Sequence, residues 1–130
     1  MMMDIHAYWR ATLAQRADEM REFFMPDAVI SWHNTNESFT VGEYIRANCE
    51  YPNEWSGEIE RIEQIGDLLI TVTHVFTVAG DLSFHAVSFI KMRDDKIAQI
   101  DEYWGDDGEA PEWRLALKSQ PIGRDSDLLR

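Results

Sequence analysis

Residues 96–114 read KIAQIDEYWGDDGEAPEWR. A run of alternating side chains ends in the aromatic pair Tyr103-Trp104, breaks at Gly105-Asp106-Asp107-Gly108 and closes with Pro111-Glu112-Trp113-Arg114. Successive strand residues point to opposite faces. Ile100, Glu102 and Trp104 therefore share one side, and Asp101 and Tyr103 the other. A carboxylate between an aliphatic group and an indole suits either the wall of a half-apolar pocket or a core strand whose charged residue reaches the rim. Two further β-rich runs precede it, residues 68–79 and 82–93, with Gly80-Asp81 and Asp94-Asp95 as connections, the pattern of an antiparallel meander. Strands this long exceed the average of roughly 5–6 residues and coil strongly. In residues 56–65 the isoleucines Ile59, Ile62 and Ile65 recur every third residue, which predicts a bulged fourth strand.

The first half of the chain has a different period. Asp4 stands as N-cap before Ile5, Tyr8, Trp9 and Leu13, an apolar stripe at helical spacing. Ala17, Met20, Phe23 and Phe24 continue with shifted phase until Pro26 stops the helix. Residues 28–33 predict a strand and residues 34–38 a loop. Thr40-Val41-Gly42-Glu43 matches a capping box, so residues 41–48 predict a third helix. Helices segregated from an antiparallel sheet define an α+β domain.

At 130 residues the chain fits one domain, residues 1–130, with a core over about 5–114 and a tail over 115–130. Five Trp, six Phe and four Tyr exceed what a minimal core needs, which points to a cavity, a dimer face or both. Twenty-four acidic against 12 basic residues give a formal charge of -12, which repels phosphate backbones and anionic membranes. Cys49 is the sole cysteine, so neither an internal disulfide nor a cysteine-based zinc cluster can form. With no basic leader and no apolar window of membrane-spanning length, a cytoplasmic location is expected.

The element order, the Trp32-His33 pair after the second helix, the long curved sheet and the EYWGDDG…PEWR ending together resemble the nuclear transport factor 2-like superfamily, in particular its SnoaL-like and ketosteroid-isomerase-like members. The resemblance spans about residues 5–114. It implies a cone in which about three N-terminal helices pack on a strongly curved, mixed but mostly antiparallel sheet and enclose a ligand cavity. Many members pair as homodimers through the sheet's outer face. Their activities include isomerases, dehydratases, cyclases and domains without catalysis, so the fold leaves function open.

Two function classes follow: an isomerase- or lyase-like acid-base enzyme on a small hydrophobic or polyketide-like metabolite, and a non-catalytic ligand-binding or accessory domain. A two-residue turn at Gly80-Asp81 pairs Phe76 with His85 and His74 with Val87. That register puts both imidazoles on one face, expected to be the cavity face, among Val72, Phe76, Val87 and Phe89. The opposite face, with Thr71, Thr73, Val75, Ala86, Ser88, Ile90, Asp101 and Tyr103, is expected to carry the dimer contact. His33 ends the first strand, where pocket mouths are often lined. The candidate proton-moving residues are thus His74, His85, Tyr8 and His33, and the candidate ligand contacts are Trp32, Phe76, Val87, Phe89, Glu102, Trp104 and Ile100. A metal on His33, His74, His85 and Glu102 is chemically sensible but lacks a ligand-spaced motif, so neither metal nor cofactor is assigned. Laid against ketosteroid isomerase, the resemblance implies for Tyr8 the place of the oxyanion-stabilising tyrosine and for Trp104 that of a pocket tryptophan. Trp32 stands where that enzyme has its aspartate base, and Val87 near its protonated aspartate. Neither side chain can do that proton chemistry, so steroid isomerisation is expected to be absent.

Overall fold

The structure, a computed structural model, describes residues 3–117 and 120–122. The helices are α1 (Ile5–Leu13), α2 (Ala17–Arg21), α3 (Val41–Cys49) and the single turn α4 (Glu112–Leu115). The strands are β1 (Phe24–Trp32), β2 (Glu37–Thr40), β3 (Trp55–Ile65), β4 (Leu68–Thr77), β5 (Ser83–Arg93) and β6 (Lys96–Asp106). They form one curved mixed sheet in the order β2-β1-β6-β5-β4-β3, with β1 parallel to β6 and every other pair antiparallel. This is the expected α+β cone. Of the predicted tail, residues 118–119 and 123–130 lie outside the described residues. No helix among the described residues is long and apolar enough to cross a membrane.

Local signals set most boundaries. The Asp4 carboxylate accepts from the His6 and Ala7 backbone N–H groups and opens α1. Thr40 and Glu43 close a reciprocal capping box that opens α3. The predicted bulge lies in β3, where the β4 pairing shifts between Ile59 and Arg61 and leaves Glu60 as the extra residue. Asp94 and Asp95 both take positive φ, the conformation a tight hairpin asks of its central residues. Two differences from the sequence reading concern the N-terminal half. The second helix ends at Arg21 rather than running to Phe24, because Phe24 already pairs with Ile97 as the start of β1, Pro26 included. Part of the predicted loop is β2, which returns on β1 with Trp32 opposite Glu37.

The larger correction concerns the two faces of the sheet. Along β4 the buried positions are Leu69, Thr71, Thr73, Val75 and Thr77, and along β5 they are Ala86, Ser88, Ile90 and Met92. This face, continued by Ile100 and Glu102 of β6, packs under α1 and α3 and carries the core with Tyr8, Trp9, Tyr44 and Ile45. The face expected to dimerise is therefore the inner one, apart from Asp101 and Tyr103, which belong to the opposite side. The physical reason is room. The concave side of a coiled sheet under two helices has space for threonine, serine and alanine, and the Trp9 indole reaches Thr71 Oγ1 at 3.3 Å. Bulkier Ile70, Val72, Phe76, Val87 and Phe89 fit on the convex side, where they stay half-buried.

Candidate functional site

Between α1, α3 and the inner face lies a cavity of about 290 Å³. Its helical wall includes Trp9 and Thr12 of α1 and Tyr44 and Asn48 of α3. Its sheet wall includes Trp32, Trp55, Phe84, Ala86, Glu102 and Trp104. Exposed Thr35, Glu37, Tyr51 and Asp106 mark the mouth.

Strand pairing explains why the polar centre sits where it does. The parallel β1–β6 register puts Trp32 beside Glu102, and the antiparallel β5–β6 register puts Ser88 opposite it. The Glu102 carboxylate, 6% exposed, accepts the Trp32 indole N–H on Oε1 at 3.0 Å and the Ser88 hydroxyl on Oε2. Burial raises its pKa above the ordinary carboxylate value, against the lowering pull of the Ser88 and Trp32 hydrogen bonds. Around it the rings pack edge to face: Trp32 with Trp104 at 6.5 Å, with Tyr44 at 6.0 Å and with Phe39 at 4.8 Å. Behind Tyr44, the fully buried Tyr8 shares a 2.9 Å hydrogen bond between the two hydroxyls. Burial, then the nearby Glu102 charge, pushes Tyr8 above the ordinary tyrosine range, and burial does the same to Tyr44. Both remain neutral phenols at physiological pH. The result is an apolar, aromatic chamber with one buried carboxyl, Glu102, and one buried phenol, Tyr44, in its wall.

No family model matches the sequence, and no curated protein matches it either. Solved structures do. An NTF-2 like protein of unknown function from Burkholderia xenovorans superposes with a TM-score of 0.75 at 25% identity, covering 92% of each chain. A candidate ketosteroid isomerase from Kribbella flavida gives 0.76 at 20% identity over 93% of this chain and 88% of its own. An LEH-like epoxide hydrolase from M. tuberculosis gives 0.65 at 15% identity over 78% of this chain and 79% of its own. The fold is nuclear transport factor 2-like.

Within this fold, three of the sequence-predicted ligand contacts, Trp32, Glu102 and Trp104, meet at the cavity. Ile100 is on the same face but fully buried in the core and does not line the cavity. Tyr8 touches the chamber through Tyr44 rather than lining it. His74 and His85 point away from the cavity, on the convex face with Phe76, Val87 and Phe89, and none of these five lines the chamber. The connection at Gly80-Asp81 is longer than a two-residue turn. Thr77 Oγ1 accepts the backbone N–H groups of Asp81 and Leu82, so residues 78–81 form the loop and the pairing moves to His74 opposite His85. That shift keeps each side chain on its face; the error lay in taking the bulky face as the inner one. His33 also lies outside, with Nε2 2.8 Å from Asp101 and its ring stacked on Tyr103 at 4.3 Å.

Cavity residues that the sequence reading passed over include Tyr44, Trp9, Trp55 and Phe84. Tyr44 had a usable signal, because the capping box fixes the phase of α3 and puts it on the buried stripe with Val41 and Ile45.

Proposed function

We propose that this chain binds a small, flat, largely apolar molecule in the chamber between α3 and the sheet, with Glu102 and Tyr44 meeting the ligand's polar atom. The observation that carries the reading is a single buried carboxyl set among aromatic walls, since ligand sites of this kind combine apolar lining with few polar groups that fix orientation. A cavity near 290 Å³ lies at the small end of the ligand-pocket range, which favours a mono- or bicyclic ligand over an extended chain.

Both Glu102 oxygens already hold protein hydrogen bonds, which favours binding and sequestration. Its raised pKa favours a second reading, an isomerase- or lyase-like step in which Glu102 exchanges a proton with the ligand. A panel of aromatic and polyketide-like compounds, followed by tryptophan fluorescence and thermal shift, tests the site. Trp104→Ala is expected to weaken every hit by tenfold or more, whereas hits unaffected by Trp104→Ala and Glu102→Gln would place binding elsewhere. Turnover lost in Glu102→Gln with binding kept selects the enzyme; binding without turnover in either protein selects the binder.

The proposal extends to assembly and location. The convex face, with Ile70, Val72, Val87 and Phe89 half-buried and Tyr103 45% exposed, is the surface on which a second copy would pack, by symmetric contact of the same patch. Cys49 as a free thiol fits a reducing, cytoplasmic compartment.

A further inference from the structure

The histidines absent from the cavity form a group of their own. His74 and His85 face each other across β4 and β5, with rings stacked at 4.8 Å and 11°. Glu60, the extra residue of the β3 bulge, turns its carboxylate to His85 Nε2 at 3.2 Å. Bulges re-aim side chains in this way at functional positions. One donor atom from each of Glu60, His74 and His85 lies within 4.8 Å of the others. Asp107, just past β6, takes the other ring nitrogen of His85, and its second oxygen accepts the Ser83 hydroxyl and stands 3.6 Å from His74 Nε2.

We propose that Glu60, His74 and His85 bind a divalent transition-metal ion on the convex face of the sheet, with Asp107 as the carboxylate that orients His85. Two imidazoles and a carboxylate are a donor set suited to zinc, nickel, copper or iron, and neutral imidazole is a preferred ligand of all four. The Asp107 contact holds the proton on His85 Nδ1 and leaves Nε2 as the ligand atom, the arrangement of carboxylate–histidine–metal groups. Donor atoms on a tetrahedral ion stand about 3.3 Å apart at ordinary metal–nitrogen distances. The three donor atoms now lie within 4.8 Å of one another, and with the strand pair holding His74 opposite His85 the closing movement the proposal requires is a rotation of the side chains. The rings now lie parallel, with His74 Nε2 2.8 Å from the Ser83 hydroxyl oxygen and His85 Nε2 on the Glu60 carboxylate, so each gives up that contact and turns about its Cβ–Cγ bond to converge on the ion, a soft torsion. Binding displaces the Nε2 proton that His85 uses toward Glu60, so one proton leaves per ion bound to the imidazolium form. The site is on the opposite side of the sheet from the aromatic chamber and stands independently of it.

The test is calorimetric titration of untagged, chelator-washed protein with zinc chloride, together with cobalt(II) absorption as a geometric probe. One equivalent of zinc per chain is expected. His74→Gln and His85→Gln should each abolish that equivalent, and Asp107→Asn should weaken it by about 10- to 100-fold. Melting in chelator checks that the variants fold, and Glu60→Gln, at an exposed position, supplies a loss-of-ligand variant even where a histidine change disturbs the sheet. Absence of a stoichiometric zinc site in the wild-type chain overturns the proposal. So does zinc uptake that survives all four substitutions, which would assign it to the acidic surface at large.

Discussion

Glu102 lies in an environment that opposes its own ionisation, and the sign of that effect is measurable. Its pKa in the folded chain is above the ordinary value of about 4.3, so the fold holds the proton more tightly than the unfolded chain does. Stability linked to this group is fully present below that ordinary value and is lost as pH rises through the folded-state pKa. Glutamine does not titrate, yet its oxygen can accept from Trp32 and its amide can donate to the Ser88 hydroxyl, so Glu102→Gln keeps both contacts. The melting temperature of Glu102→Gln minus that of wild type is therefore expected to increase with pH across the mildly acidic range and then level off. Each tenfold difference in proton affinity between the folded and unfolded chain corresponds to about 1.4 kcal/mol. A pH-independent difference in melting scans would contradict the buried, proton-holding carboxyl. Ketosteroid isomerisation is expected to be absent, since Trp32 cannot serve as base and Val87 lies on the convex face away from the cavity. Conversion of a Δ5-3-ketosteroid that disappears in Tyr8→Phe would count against that. Glu102 and Trp104 were legible as pocket residues because alternation along β6 puts them on one side and both are too polar or too large for a bland core. The histidines were not, because an imidazole on a half-apolar strand suits either face equally.

At the scale of elements, capping chemistry and turn residues were the readable part. Asp4, Thr40 and Glu43 act within a few residues of themselves, so their sequence spacing is the whole signal. Which face of a strand turns inward is a tertiary decision, set here by how closely α1 approaches the sheet. Gly57 records that approach. A Cβ built there would stand 2.4 Å from the His74 carbonyl oxygen and 3.3 Å from Leu13 of α1, with backbone of the neighbouring strand as the obstacle. Since β4 cannot retreat without breaking its ladder to β5, Gly57→Ala is expected to destabilise the chain by about 1–3 kcal/mol, in the range of overpacked cores. Chemical denaturation checks it. Gly42→Ala, with nothing within 4 Å of the new methyl group and a helical position, is the matched control and should be neutral or mildly stabilising. Equal effects at the two glycines would argue against a tight β3–β4–α1 junction. The same closeness explains the small residues of the inner face, which in sequence read as a surface rather than as a core.

At the scale of the whole molecule, two physical tendencies oppose each other. The convex face presents a row of aliphatic and aromatic groups, Ile70, Val72, Val87, Phe89 and Tyr103, whose burial against a second copy would be favourable at roughly 25 cal/mol per Å². Each copy also carries a formal charge of -12, so two copies repel. The apolar contact is short-ranged and insensitive to modest salt, whereas the repulsion is screened over about 8 Å at physiological ionic strength. Association is therefore expected to strengthen as salt is raised from low to physiological concentration, the reverse of a contact held by ion pairs. Light scattering at micromolar protein should give a dimer mass at about 0.15 M salt and a falling mass as salt is removed. Val87→Glu, at the centre of the patch and without a contact in the aromatic chamber, should give a folded monomer at every salt concentration, with ligand binding retained in the chamber. A wild-type chain that is monomeric throughout this range would leave the convex face as a half-buried apolar surface with another role. A dimer that persists in Val87→Glu would move the contact to a different face of the cone.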